Sequence, residues 1–558
     1  MSLIRHAAAV SLALWATASS VSAQQDLGAD RFFSVPTEDK EALQSTTYDG
    51  SFTSTTFYYR EDGGLAPAIG TAPFSASPVD RLFTDLRTQF DAKHISGSKV
   101  DFRADFRGRL NTTTYSTASV MGTEETGVPY QSGAHYGNEF DLREVYVRRT
   151  GSTFDVAFGR QYSLELAATK FDGLKVEGKG ARWKVILFGG LYPSRISRDV
   201  RDDYPYADGE VARPGFQGGG SPILPIAGGF GMAYRYQNAY GALGAVGVLP
   251  LADDADTGTS EDARIFATAN GYWRATTKVD FYHYIVVDAA GANGGELTNL
   301  TLGVNLQPTA RLRAYASINR IDTDTLNVTA QTKLQDPDSM PGMAVGSTLQ
   351  NNLEVQRIAQ DSARVGLSAN FNNRVEFSTS GALRKRGELR LNPVNGDPDS
   401  RDDDIVLDAA QAADITIGLV DRKSIGGMRL GISGTSSFGV GNANLYRNRA
   451  YIARVESTKS LADDRAELET SLTYINSADD NRGQACQTTD LTTCYGASEV
   501  QSVTAGLLLF YRFTSPWFVI ADANVGAQTS KSAGADGAPV SQPTILTTGL
   551  LLRLAYRF

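Results

Sequence analysis

KVDFRADFRGRL, residues 99–110, alternates without a break. From Val100 the even positions read Val, Phe, Ala, Phe, Gly and Leu, while the odd ones carry Asp101, Arg103, Asp105, Arg107 and Arg109. Successive side chains of a strand point to opposite faces, so this is a β-strand with one apolar and one charged face. A strand on a soluble core usually shows a milder wet side of Thr, Ser and Lys. A charge at every second position, with both signs interleaved, asks for a different setting: an apolar solvent on one side and water on the other.

The same alternation recurs from residue 48 onward. Leu300, Leu302, Val304 and Leu306 share one face opposite Asn299, Thr301 and Asn305. After Gln307-Pro308-Thr309, Leu312, Ala314, Ala316 and Ile318 oppose Arg311, Arg313, Tyr315 and Ser317. ARVGLSANF turns at Asn372-Asn373 into RVEFSTSGAL, a hairpin by its turn chemistry. The pattern repeats at 410–420 with 427–437, at 464–475, and at 500–511 with 517–527 across Thr514-Ser515-Pro516. Long polar segments alternate with these short turns, near 61–80, 111–138, 192–226, 321–360, 386–409, 477–499 and 528–543, and they hold most of the Asp, Pro, Gly and Asn. The one helix-like stretch is PTEDKEALQ, which Thr37 would cap.

Bulk composition agrees. The chain has 558 residues, 55 of them Gly, with 24 Tyr and 25 Phe, which suits strands and turns better than helices. Arg5 and His6 open a short basic start, Ala7 to Ala18 is apolar apart from Ser11 and Thr17, and Val21-Ser22-Ala23 offers small residues for cleavage. Residues 1–23 therefore read as a signal peptide, too short to span a membrane, with a mature chain from Gln24. Mean hydropathy is −0.24 and no later apolar run reaches the length of a spanning helix, which excludes a helical inner-membrane protein. A net charge of −9 argues against nucleic acid as a partner.

Short turn, strand, long loop, strand is the rhythm of a transmembrane antiparallel up-and-down β-barrel, whose outside is apolar and whose lumen is polar. Closure follows, because an open sheet edge in lipid leaves backbone groups unpaired. The expected fold is all-β, with short periplasmic turns, long extracellular loops and about 20–22 strands, 18 being the lower bound. Residues 24–47 form a short periplasmic segment and 48–558 the barrel, the earliest strand falling at 50–60.

The C-terminus is the sharpest motif. GLLLRLAYRF places Leu550, Leu552, Leu554, Tyr556 and Phe558 in one phase and ends on the aromatic. This resembles the closing strand of Gram-negative outer-membrane barrels. The resemblance implies that Leu554, Tyr556 and Phe558 form a signal read by the barrel-assembly machinery. In pattern nearly the whole mature chain is similar to outer-membrane porins, and DVAFGRQYS at 155–163 resembles a porin segment. That resemblance implies passive diffusion of small hydrophilic solutes, an outer membrane of lipid and lipopolysaccharide as surroundings, and a homotrimer. It assigns no subfamily.

Charges on the inward phase are the candidate pore lining. The arginines are Arg87, Arg103, Arg107, Arg109, Arg148, Arg311, Arg313, Arg364, Arg374, Arg384, Arg429 and Arg553, and the acids are Asp85, Asp101, Asp105, Glu144, Glu177, Glu376, Glu467 and Glu469. Charged rings select ions by sign, and the arginine excess points to a weak anion preference. For each residue the plainer role is to keep the wall wet and braced. Nothing calls for a cofactor or a metal. The acidic run Asp397 to Asp404 lacks the spacing of a calcium-hand loop. His94, His135 and His283 are scattered, and no GxSxG or HExxH occurs, so an enzyme is not expected. A structural or adhesive barrel with a closed lumen is the alternative function. An energy-coupled transporter is less favoured, because residues 24–47 are too few for a folded plug.

The two cysteines, Cys486 and Cys494, stand close together in a secreted chain and read as one disulfide stapling a loop. Protein recovered from the envelope should resist thiol labelling until it is reduced. Full labelling without reductant would remove the staple.

Overall fold

The structure is a computed structural model that describes residues 45–62, 79–112, 138–193, 200, 203–204, 225–249, 263–290, 295–322, 353–355, 359–372, 374–387, 389–393, 405–407, 409–440, 448–462, 465–479, 499–533, 539–541 and 543–558. The expected signal peptide, the PTEDKEALQ stretch, the acidic run 397–404 and both cysteines lie outside these residues.

Twenty-two strands pair antiparallel, each with its neighbours in sequence, and the last pairs with the first. In chain order they are β1 (Thr47–Asp62), β2 (Val79–Lys93), β3 (Val100–Asn111), β4 (Glu139–Thr150), β5 (Phe154–Ser163), β6 (Thr169–Lys179), β7 (Trp183–Leu191), β8 (Ile226–Tyr236), β9 (Ala239–Leu249), β10 (Arg264–Thr276), β11 (Val279–Ala290), β12 (Glu296–Thr309), β13 (Leu312–Asp322), β14 (Ala359–Phe371), β15 (Val375–Arg386), β16 (Ala410–Asp421), β17 (Arg429–Gly439), β18 (Asn448–Leu461), β19 (Ala466–Asp479), β20 (Glu499–Arg512), β21 (Trp517–Ala533) and β22 (Ile545–Arg557). Pro539–Ser541 adds a short pairing to the end of β21. Leu353–Val355, Leu389–Pro393 and Ile405–Leu407 form a small separate sheet among the connections of one rim. No helix among the described residues is long and apolar enough to cross a membrane.

The strand count meets the upper end of the sequence expectation. β1 is longer than the expected 50–60 at both ends. One connection, 250–263, is a long one that the residue pattern did not announce. The barrel sorts its side chains by phase. On β3 Phe106 and Leu110 are exposed on the outside, and so are Val365 and Leu367 of β14, Ile415, Ile417 and Leu419 of β16, and Leu550 and Leu552 of β22. Shifting any strand by one residue would turn its charges toward lipid, at about 2–4 kcal/mol for each Arg or Lys near the midplane, so lipid fixes the register.

Aromatic rings gather on the outside of the short-turn rim, where a barrel meets the membrane interface. Phe90 contacts Tyr48, Phe102 and Phe558 at ring separations of 5.9, 6.3 and 6.4 Å, and Tyr556 bridges Phe558 (5.7 Å) to Trp517 (4.5 Å). Phe558 therefore sits at the seam of the barrel. Its N–H donates to the Gly50 carbonyl (3.1 Å) and the Gly50 N–H donates to its carbonyl (3.0 Å). Gly50 has to be glycine: a Cβ there would collide with the Phe558 ring and stand 2.7 Å from the Gln89 carbonyl.

Deleting Phe558, or replacing it with Ser, should lower the yield of folded barrel, read as the heat-sensitive gel mobility of membrane fractions. Tyr556→Ser should cost less, and Gly50→Val should reproduce the Phe558 defect because it displaces the same ring. Normal folded yield after deletion of Phe558 would overturn the seam role.

Candidate functional site

The charged face of β3 lines the inside of the barrel and is knitted to its neighbours. Arg87 reaches Asp105 at 2.7 Å, where Gln89 also donates at 3.0 Å. Arg109 and Arg107 both meet Asp85, at 2.8 and 3.3 Å, and Arg109 also approaches Glu139 at 3.8 Å. Arg103 bonds to Glu144 and lies 3.6 Å from Asp91. The ladder thus runs across β2, β3 and β4, each arginine facing an acid on another strand. A register shift between Asp105 and Phe106 brings an extra residue of β4, Arg143, into this region. The Arg109 guanidinium also lies 4.4 Å from the centre of the Phe83 ring. Asp101 acts lower down: its carboxylate accepts the His94 N–H (3.0 Å) and the Thr150 hydroxyl (3.3 Å), tying the β2–β3 turn to β4.

Beyond β4 the wall does something its sequence pattern does not announce. β5 follows β4 only as far as Arg160 opposite Val145, and β6 meets β7 only from Asp172 opposite Leu191. The hairpin end between them stays paired with itself, from Gln161–Phe171 to Ser163–Thr169, and leaves both neighbours. Gly159, at φ 127, marks the departure. The end folds over the inner faces of β7 to β11. Phe171 stacks on Phe188 at 4.3 Å, and Leu166, Phe171, Ile186, Val246 and Val248 close into a cluster at most 1% exposed. Leu166 fits only because Gly231 and Gly244 face it, since a Cβ on either would collide with its side chain. Ala167 packs with Phe266 and Val286, and the Asn270 amide donates to the Glu165 carbonyl at 2.8 Å. Ala167 and Ala168 hold left-handed backbone (φ 57 and 52), a conformation that non-glycine residues adopt only when surrounding packing imposes it.

Charges clamp the folded end from both sides. Glu165 meets Lys184 and lies 3.8 Å from Lys175, which also holds Glu177 at 2.7 Å. Burial opposes the charge on Glu165, but the two lysines outweigh it and hold its carboxyl below the ordinary range. Arg148 spans Asp155 and Glu177. Above, the buried Arg160 binds Asp172 (Nε, 2.6 Å) and Asp203, and donates at 3.1 Å to the Leu142 carbonyl, which the departure of β5 leaves without a strand partner. Lys170 lies 3.7 Å from both Asp141 and Asp203. The Tyr204 hydroxyl donates to Asp172, and burial followed by that carboxylate pushes its pKa up.

The other expected residues are placed as follows. Arg313, Arg364, Glu376, Arg384 and Arg553 fall on the inner phase, with Arg384 2.8 Å from Asp414 and Glu376 2.6 Å from Arg422 of the next turn. Glu469 pairs with Arg454 at 3.1 Å. Arg311 and Arg374 are corrections, because they stand in the short β12–β13 and β14–β15 turns rather than on strands. Tight turns end the alternation a residue early, and Arg374 consequently meets Asp421 at 3.0 Å on the exposed rim. Arg429 opens β17 and is exposed at the same rim. The sequence reading missed the segment Glu165 to Ala168, and it missed Asp203 and Tyr204, which hold Arg160, Lys170 and Asp172 beside it. The available signal was SLELAAT between two strands, a connection without Gly, Pro, Asn or Asp. Among the described residues no cluster of His, Cys, Asp and Glu is arranged to hold a metal.

No family model and no curated protein matches the chain. Solved structures do. Acinetobacter baumannii OccAB4 is 10% identical, with 92% of this chain and 100% of that one covered at a TM-score of 0.37. OccAB2 of the same organism is 11% identical, with 92% and 98% covered at 0.38. A mutant of the Pseudomonas aeruginosa ferric enterobactin receptor is 10% identical, with 91% and 80% covered at 0.44. These are similarities of barrel architecture. A closed antiparallel wall of 22 strands, with apolar side chains exposed on one face and charged ones ranged along the other, makes this chain a large all-β barrel.

Proposed function

We propose that the barrel is a porin-like channel for passive diffusion of small hydrophilic solutes, narrowed by the folded end of the β5–β6 hairpin. The observation that carries this reading is the inner wall. Ion pairs cross β2 to β7 along a face that a wide barrel leaves open to water, and among the described residues the hairpin end is what enters that space. A lumen with no aqueous path would have little use for so many charged groups, which are stable there because water and partners share them.

The proposed lining is Asp101, Arg103, Asp105, Arg107 and Arg109 with Arg313, Arg364, Glu376, Arg384 and Arg553. A weak anion preference is the finer part of the proposal. Arginines that share one acid, as Arg107 and Arg109 share Asp85, support it. Elsewhere in the ladder acids match or outnumber the arginines, since Arg103 meets both Glu144 and Asp91 and Arg109 also approaches Glu139, which keeps the preference small.

Single-channel recording of purified protein in planar bilayers tests the reading. Steady ohmic openings are expected, and a closed bilayer under all conditions would favour the structural or adhesive barrel. Leu166→Asp puts an unpaired charge into the apolar cluster and should release the hairpin end, raising conductance in a barrel that still folds. Unchanged conductance would mean that the hairpin does not limit the pore. Arg103→Gln with Arg107→Gln should move reversal potentials in a KCl gradient toward cations, more at low salt than at 1 M, where the Debye length is about 3 Å. Unchanged potentials in a folded variant would leave these arginines a bracing role alone.

A further inference from the structure

The inner wall changes character where the barrel closes. Reading across the register from β20 to β2, one inward row is Leu508, Asp522, Leu551, Phe57 and Phe83, and the next is Phe510, Ile520, Arg553, Thr55 and Asp85. Phe57 and Phe83 touch at 5.1 Å between ring centres, and none of these apolar side chains is fully buried. This is an aromatic and aliphatic shelf on the water side of a membrane barrel, whose apolar residues otherwise belong outside.

Besides Asp85, which the ladder holds, two charges stand inside the shelf, and they differ from those of the ladder. Arg553 is exposed and its Nε donates to the Thr55 hydroxyl at 3.1 Å, with no carboxylate partner among the described residues. The carboxylate of Asp522, half-buried, has no hydrogen bond or ion pair among the described residues. Arg553 is opposite Ile520 and Asp522 is opposite Leu551, so the two are diagonal neighbours on adjacent strands, a spacing of about 7–8 Å between backbones. They do not pair with each other, although the long arginine has the reach. An apolar shelf beside one unpaired cation and one unpaired acid complements a solute that carries a flat ring, a carboxylate and an ammonium group.

We propose that this patch is a solute subsite for ring-bearing zwitterions, with the chemistry of an aromatic amino acid. The ring lies on Phe57, Phe83 and Leu551, the carboxylate meets Arg553 and the ammonium group meets Asp522. The proposal deepens the channel reading and rests on it. Tracer flux into proteoliposomes tests it, with phenylalanine, phenylacetate, phenethylamine and alanine each measured as a ratio to arabinose in the same vesicles. Wild-type protein should pass phenylalanine faster than the smaller alanine. Arg553→Gln should lower the phenylalanine and phenylacetate ratios about threefold, the size of a solvent-exposed ion pair, and spare phenethylamine. Asp522→Asn should lower phenylalanine and phenethylamine and spare phenylacetate. Phe57→Ser should lower all three ring-bearing solutes and spare alanine. Arabinose flux with solutes ordered by size alone, or wild-type ratios in any of the three variants, would overturn the subsite while leaving the channel. Absence of arabinose flux would overturn the channel itself.

Discussion

Every strand of this protein depends on a closed ring of backbone hydrogen bonds. In lipid an unpaired N–H or C=O has no water to turn to, so the sheet has to end on itself. The joint is β1 against β22, in register from Ser51 opposite Arg557 to Asp62 opposite Leu546, and the pair Gly50–Phe558 extends it to the last residue. The aromatic terminus is thus part of the closing hydrogen-bond ladder as well as of the interfacial ring cluster. That accounts for the regular alternation of β22: a closing strand has to be apolar outside and correctly phased against both β1 and β21.

Once closure fixes the phase, the electrostatics of the lumen follow. Same-face residues of a strand are about 6.6–6.8 Å apart, so Arg107 and Arg109 on β3 would repel if left alone. Asp85 on the neighbouring strand sits against both, and Asp105 and Glu144 do the same for Arg87 and Arg103. Each pair contributes little by itself, since most of these groups are largely buried and the cost of desolvating them offsets much of the attraction. Together they let a densely charged wall stand without accumulating repulsion, and they leave the few unpaired groups to shape what passes.

The barrel was legible in the sequence because two-residue periodicity reports which faces a strand has. KVDFRADFRGRL, the 312–318 alternation and the Asn372-Asn373 hairpin all appear where the pattern puts them. Periodicity does not report what each face touches. Gln161 to Leu166 alternate as wall residues would, yet this hairpin end is folded inward, because its partners Gly231, Gly244, Phe266 and Asn270 are 65 to 105 positions away along the chain. Cross-strand pairing of the ladder was unreadable for a related reason: it depends on turn lengths and on the shift at Arg143, where one residue decides which acid each arginine meets. Arg311 and Arg374 were assigned inward by extending an alternation into turns that break it.

The folded hairpin is also the place where the closure rule is locally suspended. By leaving β4 and β7, residues 161–171 give up ladder hydrogen bonds on both sides, and two alanines adopt left-handed backbone, at about 1–2 kcal/mol each. Several terms oppose that cost. Arg160 caps the stranded Leu142 carbonyl, and the β7–β8 pairing continues past the strand ends through the Tyr192 N–H to the Pro225 carbonyl at 2.7 Å. Leu166, Phe171, Ile186 and Phe188 become buried, each contributing about 1.5–3 kcal/mol relative to exposure. The apolar cluster is therefore what makes an inward turn affordable, and it explains why the inner faces of β7 to β9 are mostly small and apolar while those of β2 to β4 are largely charged. One wall is built to be covered by the chain's own hairpin, and the other is built to face water.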